Sequence, residues 1–224
     1  VAGEDRLKSW EALLAKALEA IDSVCEPAFG PRSWSFGGGT VLMRRFRHRF
    51  SRDVDLFVPD PQYLGYLDPE LNDAVAALTP RYLREASYLR LYFPEGEVDF
   101  IAAGPVTQNP AAVEKVLGRD VRVDRSIEIV GKKVKYRAAA FTARDLFDFA
   151  LVAEKEPEEL PKIAPILEER RDALLQRLES GDRILRTTFK ALDVLDYRPT
   201  YDHCIQVVRK TLATRSPRRR RPRS

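Results

Sequence analysis

The sequence predicts an α+β protein, in which a small mixed β-sheet core with flanking helices is followed by an α-helical C-terminal domain. Two observations lead to this fold class. Short apolar runs of strand length, bounded by Gly and Pro, lie within residues 33–102. After Pro110 the apolar residues recur mainly at helical spacing. We therefore expect a sheet domain at residues 1–108, a helical domain at residues 109–214 and a disordered basic tail at residues 215–224.

The first elements are short. Apolar residues lie on one helical face of residues 4–24, which predicts a helix that Pro27 ends. Residues 33–36 are expected to form a strand, residues 40–46 a helix and residues 54–58 a second strand.

A hairpin is expected in the middle of the chain. After a modest helix at residues 67–78, closed by Pro80, two strand-like runs follow at residues 87–93 and 96–102. Pro94-Glu-Gly96 lies between them, which predicts an antiparallel pair of strands.

Helices are expected to dominate the rest of the chain. Thr142-Ala-Arg-Asp145 has the pattern of a capping box, so the helix that follows should begin sharply. Gly181 separates the last long helices. The helices are expected at residues 111–118, 126–138, 142–155, 158–180, 182–196 and 200–214.

Composition excludes several classes of protein. No apolar run reaches the roughly 18 residues of a membrane-spanning helix, and the first residues lack the apolar segment of a signal peptide. Cys25 and Cys204 have neither metal-ligand spacing nor the number that a disulfide framework needs. We therefore expect a cytoplasmic protein that makes no membrane contact.

The net charge of +4 is concentrated at the C-terminus. Residues 215–224 contain six arginines and no acid, so the rest of the chain has 32 basic and 34 acidic residues. Such a tail cannot bury apolar surface and is expected to be disordered. Two interpretations stay open, a solubilising tail and an electrostatic contact with RNA phosphates.

Two acidic residues interrupt the apolar run of the second strand. Asp53 and Asp55 lie two residues apart, and such residues point to the same face of a strand. Neighbouring carboxylates on a buried face disfavour each other's charge, and a divalent cation removes that repulsion. The spacing predicts a site for Mg²⁺, which binds carboxylates together with substrate phosphates and water. A solvated strand face is the alternative.

A glycine turn, Gly37-Gly-Gly-Thr40, opens the helix upstream of these carboxylates. Glycines let the backbone approach a phosphate closely, N–H groups at a helix start favour anions, and the Thr40 hydroxyl can bond a phosphate oxygen. An ordinary turn is the alternative. One helix and one turn separate Thr40 from Asp53, which returns the second strand beside the first. A phosphate site at the same sheet edge as a metal-binding Asp-x-Asp is typical of nucleotidyltransferases.

A third carboxylate is expected from the strand at residues 96–102. Glu97 and Asp99 share one face of this strand, and Val98 and Phe100 share the other. Asp99 is the better candidate because it lies inside an apolar segment. An edge strand with its polar face in water is the alternative.

Two sequence blocks resemble a known family. The first is Phe36-Gly-Gly-Gly-Thr-Val-Leu42 followed by His48-Arg-Phe-Ser-Arg-Asp-Val-Asp-Leu-Phe57. The second is Ile129-Val-Gly-Lys-Lys-Val-Lys-Tyr-Arg137 followed by Phe141-Thr-Ala-Arg-Asp-Leu-Phe-Asp148. Together they resemble the AbiEii/AbiGii toxin family of the DNA polymerase β-like nucleotidyltransferase superfamily. The resemblance spans residues 34–155.

The resemblance implies roles for residues of the first block. Gly38, Gly39 and Thr40 are expected to hold a triphosphate, with Arg49 as a further triphosphate contact. Metal binding is implied for Asp53, Asp55 and Asp99, the last through a shorter motif. His48 is either a base or a packing residue of the same loop.

The second block implies further contacts to the nucleotide. Lys133 fits the family lysine by its spacing to Arg144-Asp145, with Lys132 as a rival and Lys135 as a weaker one. Asp145 matches a family acid that serves either the chemistry or the helix cap, and Asp148 matches the second acid. Arg144 is expected to pair with carboxylates or with the nucleotide.

The implied activity is Mg²⁺-dependent transfer of a nucleoside monophosphate from an NTP to an acceptor hydroxyl, with Mn²⁺ as an alternative metal. The acceptor is an RNA, with the 3′ end of tRNA favoured, or a protein. The resemblance also implies a toxin of a toxin–antitoxin or phage-defence system, with a cognate antitoxin as partner. The alternatives are a catalytically inactive nucleotide- or RNA-binding module on the same fold, and a phosphotransferase.

Overall fold

The computed structural model describes residues 2–24, residue 30 and residues 33–213, with side chains from Asp5 onward. The arginine-rich tail, Cys25 and Pro27 lie outside the described residues. The strands are β1 (Ser35–Gly37), β2 (Val54–Val58), β3 (Tyr82–Glu85), β4 (Tyr88–Phe93), β5 (Gly96–Ala102), β6 (Ala111–Val116) and β7 (Arg119–Asp124). The α-helices are α1 (Ala2–Leu7), α2 (Ser9–Asp22), α3 (Gly38–Phe46), α4 (Gln62–Tyr66), α5 (Asp73–Leu78), α6 (Ser126–Arg137), α7 (Ala143–Lys155), α8 (Ala164–Ser180), α9 (Asp182–Lys190) and α10 (Tyr201–Ala213), with 3₁₀ turns at Ala138–Ala140 and Pro157–Ile163.

One mixed sheet contains all seven of these strands, in the order β3-β4-β5-β2-β1-β7-β6. The β2–β5 and β1–β7 pairs are parallel, and the other pairs are antiparallel. The two strands that hold the candidate carboxylates are therefore direct neighbours at the centre of the sheet. Helices flank the sheet and continue from Ser126 onward, which confirms the α+β fold class.

The alternation of β2 decides which face of the sheet is buried. Val54, Leu56 and Val58 are fully buried, and the intervening Asp55 and Phe57 are only partly so. The apolar stripe of α2 packs against β2 and β5 on the buried face. The polar face of β2 is thereby left for the candidate site.

The helices of the second half of the chain pack around α7. Its buried apolar residues contact α6, α9 and α10, and the side chains of Phe147 and Phe149 are fully buried. The Thr142–Asp145 capping box is present, which confirms the expected sharp start of α7.

Backbone pairing joins the sheet to the helical part. Arg49 forms a β-bridge with Val194, and the Phe50 N–H donates to the Asp193 carbonyl at 2.7 Å. The Leu195 N–H donates to the His48 carbonyl at 2.9 Å. The loop before β2 is thus held against the segment that follows α9.

Several expected elements are wrong. Residues 111–118, expected as a helix, form β6 and the start of a hairpin with β7, closed by Leu117 and Gly118 at φ values of 50° and 76°. The sheet therefore extends beyond residue 108, although the division of the chain into domains stays a prediction.

The remaining differences are smaller. The helix expected at residues 67–78 is shorter, because only α5 is helical in that range. Helix α4, which precedes it, and strand β3 are elements that the sequence analysis does not predict. The helix expected at residues 158–180 is a 3₁₀ turn followed by α8, and α9 ends at Lys190 because the chain then turns to pair with residues 47–50. Among the described residues, none of the helices combines the length and hydrophobicity that a membrane span needs.

Candidate active site

Strand pairing brings the candidate carboxylates together. In the parallel β2–β5 pair, Asp55 lies in register with Asp99. Asp53 precedes β2 by one residue, and its Oδ1 accepts a hydrogen bond from the Glu97 N–H at 3.3 Å. The three side chains differ in environment: Asp53 is 40% exposed, Asp99 is 14% exposed and Asp55 is half-buried.

The Asp55 carboxylate is electrostatically destabilised in its charged form. Burial raises its pKa to about 7, and the negative charges of Asp99 and Asp53 add to the effect, against the opposing influence of Lys133 and Arg137. A hard cation between Asp53 and Asp55 would relieve this repulsion. The donor chemistry of these two residues therefore fits a divalent metal ion.

Asp99 is already neutralised by an arginine. Arg90 donates to it from Nε at 2.6 Å and from Nη2 at 2.7 Å, and Arg90 Nη1 lies 2.9 Å from Glu97 Oε2. Within the part of the chain that the structure describes, no group of three or more His, Cys, Asp or Glu residues is arranged to hold a metal ion. The role of Asp99 as a third metal ligand stays a prediction, and it would require Asp99 to leave Arg90.

The glycine turn contacts the carboxylates directly. Gly38 opens α3 with a φ of 73°, and a Cβ atom at this position would lie 1.7 Å from Asp55 Oδ2. A Cβ atom on Gly39 would lie 2.6 Å from Arg49 Nη2. Both positions exclude larger residues, so the backbone at the start of α3 lies against Asp55 and Arg49.

Thr40 connects this turn to the segment that contains Asp53. It is fully buried, and its Oγ1 donates to the Asp53 carbonyl at 2.6 Å and lies 3.1 Å from Ser51 Oγ. The hydroxyl proton of Thr40 is thus already engaged in a hydrogen bond within the protein. A direct bond from Thr40 to a phosphate stays a prediction, and it would require exchange of this contact.

Lys133 lies between two buried acids of α7. Its Nζ donates to Asp145 Oδ1 at 2.5 Å and lies 3.1 Å from Asp148 Oδ2. Burial alone would lower the pKa of Lys133, but the two carboxylates raise it, so the side chain stays charged. Asp145 Oδ2 also accepts bonds from the Thr142 N–H and hydroxyl, so the same acid caps α7 and binds Lys133.

Asp148 binds the side chains of two residues from the loop before β2. Arg49 binds it through two parallel bonds of 2.7 Å, and His48 Nε2 lies 2.8 Å from its Oδ1. Burial would raise the pKa of Asp148, but Arg49 and Lys133 hold it well below its ordinary value. The carboxylate is therefore ionised and stabilises a buried cluster of charges.

His48 is a packing residue of this cluster. It is fully buried against Phe147, with 5.8 Å between the ring centroids. Burial lowers its pKa despite the neighbouring Asp148, and among the described residues its Nδ1 has no hydrogen-bond partner. The neutral tautomer that donates from Nε2 fits both facts.

The rival lysines have other partners. Lys132 Nζ donates to the buried Asp124 Oδ2 at 2.7 Å and lies 3.9 Å from the centroid of the Phe57 ring. Lys135 packs on Tyr136. Among the three lysines, Lys133 is the one bound to the Arg-Asp-x-x-Asp acids.

Sequence reasoning missed Arg90, although a signal was available. In the β4–β5 hairpin Arg90 lies in register with Asp99. The short Pro94-Glu-Gly96 connection fixes this register, so counting back from the turn would have placed the two residues opposite each other. Asp124, the partner of Lys132, could not be found because β7 was read as part of a helical region.

Comparisons with known proteins identify a family for this chain. The family described as "Nucleotidyl transferase AbiEii toxin, Type IV TA system" matches residues 25–207. Among solved structures, JHP933 from Helicobacter pylori is 16% identical, with 90% of each chain covered and a TM-score of 0.45. MenT4, a nucleotidyltransferase toxin from Mycobacterium tuberculosis, is 19% identical over 91% of this chain and 83% of its own, with a TM-score of 0.48. No curated protein matches this chain.

The family match covers most of the chain, from before the glycine turn to α10. It includes the Asp53–Asp55 segment and the Lys133 cluster, so the resemblance inferred from the two sequence blocks is confirmed. The family implies an NTP substrate and typically a divalent metal ion. The chain therefore belongs to the AbiEii family of nucleotidyltransferase toxins, and it is a nucleotidyltransferase.

Proposed function

We propose that this protein is a cytoplasmic toxin that transfers a nucleoside monophosphate from an NTP to an acceptor hydroxyl in the presence of Mg²⁺. The acceptor oxygen forms a bond to the α-phosphorus, the bond from that phosphorus to the bridging oxygen breaks, and pyrophosphate leaves. The hydroxyl proton passes to solvent or to a carboxylate of the site. An RNA acceptor is favoured, with the 3′ end of tRNA as first choice and a protein as second.

One observation carries the proposal: the backbone at Gly38 lies against Asp55, and Asp55 lies in register with Asp99 on the neighbouring parallel strand. A triphosphate at the turn would then face the carboxylates within the reach of one cation. Bound by Asp53 and Asp55, that cation would offset the charge of the phosphates and of the leaving pyrophosphate. Asp99 is proposed as the third carboxylate once it leaves Arg90.

The other residues of the site bind and orient the nucleotide. Gly38 and Gly39 allow the phosphates to approach the backbone N–H groups of α3, and Thr40 holds Asp53 in place. Lys133 is fixed by Asp145 and Asp148 at a distance that lets it act on Asp55 electrostatically. Arg49 presents a cation beside Gly39. A cognate antitoxin is the proposed partner of the toxin.

The first prediction concerns the two central carboxylates. We expect Asp53→Asn and Asp55→Asn each to lower label transfer from an α-³²P-labelled NTP by at least about 100-fold, because each removes a charge that would hold the cation. The assay uses each labelled NTP with Mg²⁺ and a total cell extract, and the labelled RNA and protein are separated by gel. Asp120→Asn is the matched control, since Asp120 lies on β7 in an exposed pair with Lys115.

The outcomes separate the alternatives. Equal transfer by Asp55→Asn and wild type would contradict the proposed site. Retained NTP binding without any transfer, in wild type as well, would favour the catalytically inactive binding module. Label on the product from γ-³²P-NTP instead of α-³²P-NTP would identify a phosphotransferase.

A further inference from the structure

A cleft beside the candidate active site has no assigned role. It has a volume of about 560 Å³ and lies between the loop before β2, the end of α6, the start of α7, and helices α8 and α9. The pairing of residues 47–50 with residues 193–196 closes one end of it. The cleft is therefore built where the sheet and the helical part meet.

Arginines give this cleft a positive charge. Arg137, Arg144 and Arg177 line it together with the buried Arg49. Arg144 is exposed, and Arg177 uses its Nε to donate to the Phe141 carbonyl at 3.0 Å, which leaves its terminal nitrogens free to bind a ligand. Several guanidinium groups around one cleft suit phosphate groups, which they bind through paired hydrogen bonds.

The acidic lining residue does not cancel this charge. Asp193 is the single acid among the described lining residues, and it forms a salt bridge with Arg6 of α1. Arg6 also lies over the Phe50 ring, with 4.0 Å to its centroid. The first helix thus neutralises the acid, and the excess positive charge of the cleft lies on Arg144 and Arg177, because the other two arginines are paired with acids of α7.

One wall of the cleft is apolar. Phe50, Ile184, Leu185 and Leu192 form it, and Ile184 is 62% exposed, so its side chain is accessible to a ligand. Cations beside an apolar and aromatic wall are the combination that single-stranded nucleic acid needs, because its phosphates and its unstacked bases are both accessible. A duplex would hide its bases from such a wall.

The cleft adjoins the proposed site of nucleotidyl transfer through two arginines. Arg49 lines the cleft and binds Asp148, which contacts Lys133. Arg137 lines the cleft and lies 3.3 Å from Asp145. A strand bound in the cleft would therefore end close to the glycine turn and Asp55.

We infer that this cleft binds the single-stranded end of the acceptor RNA, with its phosphates on Arg144 and Arg177 and a base against Ile184. The inference rests on the proposed transfer to an acceptor hydroxyl and names the part of the acceptor that the protein holds. It favours RNA over a protein acceptor, because a peptide would use the apolar wall without needing several guanidinium groups.

The test measures RNA affinity without NTP, so its outcome does not depend on catalysis. The probe is a fluorescein-labelled 12-nucleotide single-stranded RNA of mixed sequence, titrated with the full chain over a salt series. We expect the double variant R144Q/R177Q to bind at least about tenfold more weakly. The slope of log K against log salt should fall by about 1.4, at roughly 0.7 for each lost phosphate contact.

Matched variants separate charge from shape. R81Q/R84Q removes the same charge at the start of β3 from two residues that do not line the cleft, and it should leave the affinity within about twofold. Ile184→Ser should weaken binding about threefold without changing the salt slope, because it removes apolar contact and no charge. Far-UV circular dichroism melting confirms that each variant is folded, and binding of Mg²⁺-NTP is followed by thermal shift.

Three results would overturn the inference. Unchanged RNA affinity in R144Q/R177Q would show that the cleft does not bind RNA. Loss of Mg²⁺-NTP binding with unchanged RNA affinity would assign the cleft to the nucleotide substrate. Binding of an acidic peptide that is lost in R144Q/R177Q, with RNA affinity unchanged, would point to a protein acceptor.

Discussion

At the scale of single residues, Gly38 is the position where backbone conformation and the site are most tightly coupled. Its φ of 73° is strained for any residue with a side chain, and a Cβ atom would overlap the Asp55 carboxylate. A substitution here therefore changes the backbone of the turn and the position of a proposed metal ligand together.

We expect Gly38→Ala to lower the free energy of unfolding by about 1–3 kcal/mol and to reduce transfer activity strongly. Gly65→Ala is the control, because Gly65 lies in α4 and a Cβ atom there would meet nothing within 4 Å. Urea unfolding and the labelled-NTP assay measure both effects. Wild-type activity in Gly38→Ala would contradict the close approach of the turn to Asp55.

Single residues also mark how far the site could be predicted. Asp53, Asp55 and the glycine turn could be identified because strand periodicity and chain order alone bring them together. Arg90 could have been placed opposite Asp99 by counting back from the β4–β5 turn, whereas Arg137 could not be assigned from local pattern, since it contacts Asp145 only through helix packing. The sequence also permitted Thr40 to face a phosphate, whereas its hydroxyl bonds the Asp53 carbonyl.

At the scale of elements, the start of α7 has two tasks. Thr142 Oγ1 accepts a hydrogen bond from the Asp145 N–H at 3.2 Å. The Asp145 carboxylate accepts hydrogen bonds from the Thr142 N–H and hydroxyl and from Lys133 Nζ. The cap of the helix and the position of the lysine therefore depend on the same two side chains.

We expect Thr142→Ala to lower the free energy of unfolding by about 1 kcal/mol and also to reduce transfer activity, because Asp145 loses two of its bonds. Asn72→Ala removes the cap of α5, where the Asn72 side chain accepts bonds from the Ala74 and Val75 N–H groups. It should destabilise by a similar amount and keep activity. Equal activity losses in the two variants would mean that only stability links the cap to catalysis.

The elements themselves could be predicted to different extents. The strand β2 lies in a short apolar run that Pro59 ends, so its bounds follow from the sequence. Strand β6 contains Ala, Glu and Lys, which favour helices, and its conformation is decided by pairing with β7, which in turn pairs with β1. The missed local signal was Leu117-Gly118, a two-residue turn between alternating segments.

At the scale of the whole molecule, buried charge joins the sheet to the helical part. His48 and Arg49 precede β2, and their partner Asp148 lies in α7. His48 is buried as a neutral ring, so its pKa is lower when folded than the ordinary 6.5 of the unfolded chain. Below that pH the unfolded state takes up a proton that the folded state does not, and stability falls.

We expect the stability advantage of wild type over His48→Gln to shrink by up to about 1.4 kcal/mol per pH unit below pH 6.5. The comparison is needed because Asp55, with its pKa raised to about 7, changes stability in the opposite direction in both proteins. Asp148 adds nothing in this window, since its lowered pKa affects stability only below about pH 4. Urea unfolding at pH 7.5, 6.5 and 5.5 measures the difference, and a constant difference would contradict a neutral buried His48.

The ion pairs of Lys133 weaken its attraction for a polyanion at long range. Two carboxylates lie within about 3 Å of its ammonium group, so its field is largely cancelled at a distance. Among the described residues, the exposed guanidinium of Arg144 forms no such ion pairs, so its field is not cancelled in this way. A nucleic acid that binds in the proposed cleft would therefore be attracted from a distance by exposed arginines such as Arg144, and by Lys133 only at short range.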